Sequence, residues 1–388
     1  MEHYSELKGK SLLFLLFLWF FWFINFSTRT IFSPILPLIE DEFIISHARA
    51  SSIFIFQSIG YSLSMLFSGF FSGRIGYKKS IAFSLVISAF TFSLIPFIKV
   101  FSVLYIFSFI LGLSAGVYLP SAIPLITEFF AEKNWGKSIA IHDSGASVSI
   151  FSAPFIAIFL LQFFQWRWIF EVFAIVFIIS AVAFYLICDE VKIRHTSHKT
   201  LIGVLIKMRS LWIISILFTF ATGVNLGIYF IVPLYLTKEL SLGIGYANTI
   251  LGISRLGGIG VAVLCGFLVD RFSLRKTIFI MLLLTGIFTI CTGISSIKFI
   301  GFFLFLQAVC ITGFFPMGLL SIARIFNREM RGMATGLVMT IGIIFGGGLI
   351  PYLIGLSGDL LSFRFGIATI GILVILISPI ILFLKEIE

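Results

Sequence analysis

Two arginines of this 388-residue chain lie inside long apolar stretches, where a permanent positive charge is costly. Arg29 interrupts "FINFSTRTIFSPILP", and Arg255 interrupts "TILGISRLGGIG". A charged side chain at the centre of a bilayer costs at least about 2.5 kcal/mol on insertion scales, so an intramembrane arginine is by default a functional hypothesis. The guanidinium presents a planar fork of N–H donors that suits a carboxylate or a phosphate. The two residues therefore predict anion binding inside the membrane.

The depth of these arginines supports one shared site. Arg29 follows the basic residue Lys10 by 19 positions, or roughly 28 Å of helix, and Arg255 precedes Arg271 by 16 positions, or roughly 24 Å. The predicted substrate-binding residues at this level are Arg29, Arg255, Asn225 and Gln57. The alternative for each arginine is a structural ion pair with a partner that the sequence does not identify.

A second polar cluster lies in the stretch "AIHDSGASVSIFSAP". Asp143, Ser144 and Ser147 can share one helix face, and His142 points about 100° away from Asp143 on a helical wheel. A carboxyl group in apolar surroundings can bind and release a proton near neutral pH, and a histidine can be tuned to do the same. We therefore expect Asp143, together with His142, to couple transport to protons. A cytoplasmic gate or a hydrogen bond between helices is an equal alternative.

The remaining chemistry-bearing residues indicate neither an enzyme nor a metal site. The four cysteines show no CxxC pair, no disulfide pattern and no metal-ligand spacing. Nothing resembles a Walker loop or a nucleophile–base constellation, which disfavours ATP-driven pumping and catalysis. We expect no cofactor and no catalytic residue.

The composition gives the elements that must position these side chains. Charged residues make up 11% of the chain, hydrophobic residues 59%, and the mean hydropathy is +1.14. A soluble globular chain carries roughly 25% charged residues, so this chain is predicted to be a polytopic membrane protein in contact with a lipid bilayer. The net charge of +10 comes from Lys and Arg residues between the apolar segments, which favours a topology signal over nucleic-acid binding.

Twelve apolar segments are long enough to cross a bilayer as helices, which need about 20 residues each. The predicted limits are 11–39, 50–73, 79–99, 101–130, 137–163, 167–187, 210–236, 244–270, 276–296, 298–323, 332–356 and 362–384. The hydrophilic segment 188–209 separates six helices from six. We therefore expect an all-α membrane protein with an N-terminal bundle at 1–187, a cytoplasmic loop at 188–209 and a C-terminal bundle at 210–388.

Loop charges predict the orientation. Nineteen of the 27 Lys and Arg residues lie on one side of the predicted helices, six lie on the other, and two lie inside the membrane. The positive-inside rule then places both termini and the central loop in the cytoplasm. We expect a plasma membrane location, as in a bacterial inner membrane.

The two halves repeat at an offset of 197 residues. The matching pairs are Gly69 and Gly266, Arg74 and Arg271, Glu132 and Glu329, Pro154 and Pro351, and Arg167 and Arg364. A parallel repeat of six helices is a transporter architecture, with the substrate site near the bilayer midplane. Arg29, Arg255, His142 and Asp143 have no charged counterpart at this offset, so the repeated scaffold does not explain them.

The segments "GFFSGRIGYKK" and "GFLVDRFSLRK" resemble the signature Gly-x-x-x-Asp-Arg-x-Gly-Arg-Lys of the major facilitator superfamily. The matching residues are Gly69, Arg74, Gly76 and Lys78 in the first copy, and Gly266, Asp270, Arg271 and Arg275 in the second. Gly73 replaces the acidic residue, and Ser273 replaces a glycine. The resemblance implies twelve helices, alternating access and a cytoplasmic gate at these residues. The alternative is that these charges only determine topology.

Helix one is similar to that of the anion:cation symporters and the organophosphate:phosphate antiporters of this superfamily. Arg29 lies eight residues before Pro37, and in those families an arginine at this place takes part in binding or coupling to the anionic substrate. The pattern of drug–proton antiporters is weak, because Ser108 stands where they carry an arginine and Ala153-Pro154 where they carry Gly-Pro.

These observations predict a monomeric secondary transporter that moves a small organic anion, bearing a carboxylate or a phosphate, with proton coupling. One rival function is export of cationic or amphipathic compounds, with Asp143 as the cation contact. The other is a membrane sensor on the same fold that transports nothing. The acidic cluster Glu40-Asp41-Glu42 is expected to be a solvated loop at the outer end of helix one.

Overall fold

The computed structural model describes residues 7–188, 202–258, 261, 273–384 and 386. Within these residues the chain is almost entirely helical, and 11 helical segments are long and apolar enough to cross a membrane. These segments are Lys10–Phe43, His47–Ser68, Tyr77–Phe97, Phe101–Phe129, Glu132–Leu161, Trp166–Ile187, Arg209–Glu239, Leu274–Ile294, Ile297–Ile325, Glu329–Leu360 and Phe363–Phe383. The predicted all-α membrane fold is confirmed.

The predicted eighth span, 244–270, is described only in part. Its first segment is the helix Ile244–Ser254, which Arg255 ends by donating its backbone N–H to the Gly252 carbonyl. Residues 262–272 lie outside the described residues, and so do the predicted gate residues Gly266, Asp270 and Arg271. Arg255 itself is therefore positioned by the end of a described helix.

The first span consists of two helices, α1 (Lys10–Thr30) and α2 (Phe32–Phe43), which meet at Ile31. Pro37 lies inside α2, where it removes one backbone hydrogen bond. The helix continues to Phe43, four residues beyond the predicted end at 39. Arg29 thus lies in the last turn of α1, next to a break in the helix.

The helix boundaries repeat at the offset found in the sequence. The helices Tyr77–Leu94 and Leu274–Ile294 begin 197 residues apart. The same spacing separates the starts of Trp166–Ile187 and Phe363–Ile377. The internal repeat is therefore visible in the helices as well as in the residue types.

Two long helices contain π-helical segments. The span that starts with Arg209–Thr222 continues through the π segment Gly223–Gly227, which carries Asn225, and the helix Arg328–Ile341 leads into the π segment Gly342–Leu349. The two segments meet at Gly346, where an added Cβ would lie 2.8 Å from the Gly223 backbone nitrogen. Single-turn π segments occur frequently at functional sites, and the segment Gly223–Gly227 carries the predicted site residue Asn225.

Close helix contacts in the N-terminal part depend on glycine. A Cβ on Gly112 would lie 2.1 Å from the Gln57 carbonyl oxygen, and one on Gly60 would lie 2.2 Å from the Phe109 carbonyl oxygen. The helices Ile53–Ile75 and Phe101–Phe129 therefore pack backbone against backbone. This contact fixes the helix that carries Gln57.

The chain forms two compact units. One consists of Met1–Phe32 and Phe56–Ser197, and the other of Ser33–Ile55 and His198–Glu388. The outer end of the first span thus belongs to the same unit as the C-terminal helices. The division into an N-terminal bundle (1–187) and a C-terminal bundle (210–388) stays a prediction about the sequence halves.

Candidate functional site

Arg29 is a buried guanidinium held between aromatic rings. Its Cζ lies 4.0 Å from the centroid of the Phe26 ring and 4.2 Å from that of the Tyr61 ring. Only 6% of the residue is exposed. Attraction between the cation and the ring faces stabilises the charge without a carboxylate, so the rings orient Arg29 and leave its hydrogen-bond donors available.

Arg255 is buried in a similar way in the other unit. Its Nη1 donates to Asn225 Oδ1 at 3.4 Å, and its Cζ lies 5.3 Å from the centroid of the Tyr229 ring. The residue is 5% exposed. Asn225, which the sequence placed in the site, is therefore a direct partner of Arg255.

Both arginines leave the same edge of the guanidinium without a partner. In both Arg29 and Arg255, the Nε and Nη2 atoms are buried and have no hydrogen-bond acceptor among the described residues. These two nitrogens carry parallel N–H bonds on one side of the group. A carboxylate or phosphate can accept both in a bidentate pair. Each arginine thus presents an unused fork for an anion.

Gln57 belongs to the helix Ile53–Ile75 and contacts the end of α1 next to Arg29. Its Nε2 donates to the Thr28 carbonyl oxygen at 2.9 Å, and the residue is buried. Asn25 donates in turn to the Ala115 carbonyl oxygen at 3.4 Å. Gln57 therefore holds the end of α1 in place beside Arg29. We had expected Gln57 to bind substrate, and this contact with the helix was not predicted.

The two residues predicted to couple protons differ in their burial. His142 is fully buried, and its ring stacks with those of Trp22 and Tyr118 at centroid distances of 5.8 and 5.9 Å. Asp143, the next residue of the same helix, is exposed. The role of both residues in proton coupling stays a prediction.

The face predicted to hold Asp143, Ser144 and Ser147 contacts helix α1. Ser144 Oγ accepts a hydrogen bond from Trp19 Nε1 at 2.9 Å. Asp143 lies beside the Trp22 indole. The two tryptophans of α1 therefore connect this polar face to the buried histidine.

The described gate residues lie near the ends of their helices. Gly76 has a φ of 96°, a left-handed conformation that favours glycine, and it starts the helix Tyr77–Leu94. Lys78 Nζ lies 4.7 Å from the centroid of the Tyr185 ring, and Arg275 Nη1 donates to the Leu382 carbonyl oxygen at 3.4 Å. Gly69 and Arg74 belong to the preceding helix, Ile53–Ile75. Their role in gating stays a prediction.

The acidic cluster at 40–42 is helical, so the expected loop is wrong, and only Asp41 and Glu42 are exposed as expected. Glu40 lies in α2 and is 5% exposed. Its Oε2 lies 2.8 Å from His47 Nδ1, and its Oε1 lies 3.7 Å from Lys238 Nζ, which also pairs with Asp41. An acidic run after an apolar segment usually indicates the end of a membrane helix. Because Lys238 lies 197 residues after Asp41, no local sequence signal predicts these ion pairs.

No group of three or more His, Cys, Asp or Glu side chains among the described residues is arranged to hold a metal ion.

The site residues that were not predicted from the sequence are mainly aromatic: Tyr61, Tyr229, Trp22 and Tyr118. Because aromatic residues make up 17% of the chain, none of them stands out by type.

Comparison with known proteins gives the family. A profile described as the Major Facilitator Superfamily matches residues 18–273 and 228–388. The uncharacterized transporter YybO of Bacillus subtilis (strain 168) is 28% identical over 145 residues, which are 37% of this chain and 33% of that protein. The niacin transporter NiaP of Acinetobacter baylyi is 29% identical over 109 residues, which are 28% of this chain and 25% of that protein. The matches therefore span a third or less of these relatives.

Solved structures share the fold. A bacterial homologue of the human lysosomal transporter Spinster, inward-facing and unoccupied, superposes with a TM-score of 0.82 at 14% identity, covering 98% of this chain and 99% of that one. A D-xylose-proton symporter gives a TM-score of 0.82 at 14% identity, covering 98% of both chains. With the profile match across nearly the whole sequence, these findings show that the chain is a multi-pass membrane protein and belongs to the Major Facilitator Superfamily.

Proposed function

We propose that this transporter moves a small organic anion across the plasma membrane by alternating access, in symport with protons. The substrate carries a carboxylate or a phosphate that pairs with Arg29 and Arg255. The protein acts as a monomer, with both termini in the cytoplasm, as the distribution of Lys and Arg between its loops favours.

One observation carries the proposal: two buried guanidinium groups each keep Nε and Nη2 unpaired. Among the described residues neither arginine forms an ion pair with an acidic side chain. A buried charge without a partner is strongly unfavourable, so proteins normally pair it. An anionic substrate would supply the missing charge and the missing acceptors together, which gives the substrate class a physical reason.

The relatives support a carboxylate. NiaP is named a niacin transporter, and niacin is a pyridine carboxylic acid that is an anion at neutral pH. Its carboxylate offers the two oxygens that one guanidinium edge requires. Nicotinate is therefore the first compound to test, followed by other carboxylates and by phosphate esters.

Uptake into proteoliposomes tests the proposal. The purified protein should accumulate at least one radiolabelled organic anion, and Arg29→Gln and Arg255→Gln should each lose uptake while keeping normal expression. Lys99→Gln is the control, since Lys99 is an exposed cation in a loop. The anion proposal fails if both arginine variants transport like the wild type, or if Asp143→Asn abolishes export of cationic compounds while the arginine variants retain it.

A further inference from the structure

The turn at 44–46 has a counterpart with a similar backbone conformation in the second half of the repeat. Ile44 has a φ of 49°, and Ser241, which follows it by the repeat offset, has a φ of 54°. These are the two non-glycine residues with a positive φ among the described residues. Each turn leads into a helix, His47–Ser51 in the first half and Ile244–Ser254 in the second. The turn is therefore part of the repeated scaffold.

The ion pair beside the first turn is not part of that scaffold. His47 Nδ1 lies 2.8 Å from Glu40 Oε2. The counterparts of these two residues in the second half are Ile244 and Thr237, which carry no charge. Because the second turn adopts its conformation without an ion pair at these positions, the shape of the turn does not explain why the first half has one.

Glu40 is a buried carboxylate whose charge Lys238 balances only in part. The residue is 5% exposed, and Lys238 Nζ lies 3.7 Å from its Oε1 while also pairing with Asp41. The distance of 2.8 Å to His47 Nδ1 is typical of a charge-assisted hydrogen bond. A carboxylate only accepts, so Nδ1 carries a hydrogen and a proton is gained or lost at Nε2. Since 25% of the His47 side chain is exposed, that proton can exchange with solvent.

His47 also joins this turn to two C-terminal helices. Its backbone N–H and that of Ala48 donate to the Asp359 carboxylate at 2.8 and 2.9 Å, in the last turn of the helix Ile350–Leu360. Its ring centroid lies 4.8 Å from that of Phe363, which starts the next helix. Because Asp359 is bonded to the backbone of His47 itself, a positive charge on the His47 ring attracts this carboxylate as well as its ion-pair partner.

Carboxylates outnumber permanent cations around His47. The charged groups on the elements packed against it, and on its own helix, are Glu40, Asp41, Lys238, Glu239, Asp359, Arg364 and Arg49. Among these side-chain types, only histidine has an ordinary pKa between about pH 5 and 8. A proton on His47 therefore adds the positive charge that this cluster lacks, within that range of pH.

We propose that His47 and Glu40 form a proton-sensitive clamp that fastens the segment Ser33–Ile55 to the helix Ile350–Leu360. With a proton on His47, the clamp has a charge-assisted hydrogen bond to Glu40 and attracts Asp359. Without that proton, a weaker hydrogen bond from neutral Nδ1–H remains, and Asp359 keeps only the backbone N–H donors. The contact is therefore tighter at about pH 5.5 than at about pH 8. Under the proposed alternating access, on which this last consequence alone rests, proton binding to His47 favours the state in which the contact is closed.

Hydrogen–deuterium exchange of the full chain in lipid nanodiscs, read by mass spectrometry, tests the clamp without any substrate. The readout is the protection of the amides of the helix His47–Ser51, corrected for the effect of pH on chemical exchange. We expect this protection to fall about 3- to 10-fold from about pH 5.5 to about pH 8, as a charged hydrogen bond at a partly exposed site becomes a neutral one. His47→Gln should show the lower protection at both pH values.

Two controls make the result specific to the charge on His47. His47→Arg keeps a positive charge at every pH of the experiment and should hold the high protection throughout. The helix Ile244–Ser254 after the second turn has no titratable clamp and should keep one corrected protection at both pH values. Protection of the first helix that does not change with pH in the wild type, or the wild-type pH dependence in His47→Gln, would overturn the clamp. Either outcome leaves anion transport standing, because that proposal is tested by uptake.

Discussion

Asn225 holds the guanidinium of Arg255 in place, so its side chain is expected to set substrate affinity. Asn225→Ala removes the acceptor of Nη1 at 3.4 Å and lets the group reorient. A hydrogen bond contributes about 0.5–1.5 kcal/mol net, which corresponds to a rise in KM of about 2- to 13-fold. We expect kcat to change less than KM in uptake assays.

Asn225→Asp is the sharper companion variant. It places a carboxylate where the amide oxygen now accepts from Arg255, and this internal anion should compete with the substrate. We expect binding to weaken more in Asn225→Asp than in Asn225→Ala. Equal affinity in Asn225→Asp and the wild type would show that Arg255 does not bind the anion.

Tyr61 tests the aromatic support of Arg29. Tyr61→Phe keeps the ring that lies 4.2 Å from the guanidinium carbon, whereas Tyr61→Ala removes it. Cation–π contacts contribute roughly 0.5–2 kcal/mol, so equilibrium binding should survive in Tyr61→Phe and weaken in Tyr61→Ala. Loss of binding in both variants would instead assign the effect to the hydroxyl group.

At the scale of single residues, the charged site residues could be predicted from the sequence, but their aromatic partners could not. Arg29 and Arg255 stand out because an apolar stretch makes a charge conspicuous. The rings of Tyr61 and Tyr229 carry no such contrast in an aromatic-rich chain. The roles of His142 and Asp143 also depend on which helix face is buried, and a span that is apolar all round gives little indication of that.

At the scale of helices, Gly112 carries a contact that has no room for a side chain. A Cβ there would lie 2.1 Å from the Gln57 carbonyl oxygen and 2.8 Å from the Tyr61 nitrogen, both backbone atoms. Gly112→Ala should therefore push two helices apart and lower the midpoint of thermal unfolding in detergent by several degrees, as overpacking costs about 1–3 kcal/mol.

Gly136→Ala is the matched control for this effect. It has nothing within 4 Å of an added Cβ and also lies in a helix, where alanine is intrinsically favoured over glycine. We expect an unchanged or slightly raised unfolding midpoint. A drop equal to that of Gly112→Ala would mean that the loss of glycine, not the helix contact, is responsible.

Helix positions were largely predictable, and helix interruptions were not. The span predicted at 101–130 is observed as Phe101–Phe129, because apolar length fixes a membrane helix. The break at Ile31 and the π segment Gly223–Gly227 follow no residue signal that is specific enough. Both features position predicted site residues, whose identity could be predicted from the sequence but whose orientation could not.

At the scale of the molecule, the segment Ser33–Ile55 contacts distant parts of the chain within one compact unit. The backbone N–H groups of His47 and Ala48 donate to Asp359 at 2.8 and 2.9 Å, and Lys238 pairs with Asp41. Gly355 lies so close to Ser51 that an added Cβ would be 2.5 Å from its Oγ. Under the proposed alternating access, we expect these contacts to separate during the transport cycle.

A reversible cross-link tests that requirement. Ser51→Cys combined with Gly355→Cys should form a disulfide under oxidation, stop transport and recover after reduction. Each single variant should be insensitive to oxidant. Full transport by the cross-linked protein would show that the outer contact does not have to open.

The outer contacts also mark the limit of sequence reasoning about the whole chain. The offset of 197 residues reveals two related halves, but it does not reveal that Ser33–Ile55 packs with the C-terminal helices. Such pairings join residues that are far apart in the sequence, and no local residue pattern marks them.

Equilibrium binding of the transported anion to the purified protein tests the central claim most directly. Each fork contributes hydrogen bonds to a charged group, worth about 1.5–3 kcal/mol, so Arg29→Gln and Arg255→Gln should each raise Kd by at least about 10-fold, with Lys99→Gln unchanged. Wild-type Kd values in both arginine variants, with the proteins folded, would contradict the claim that these arginines bind the substrate.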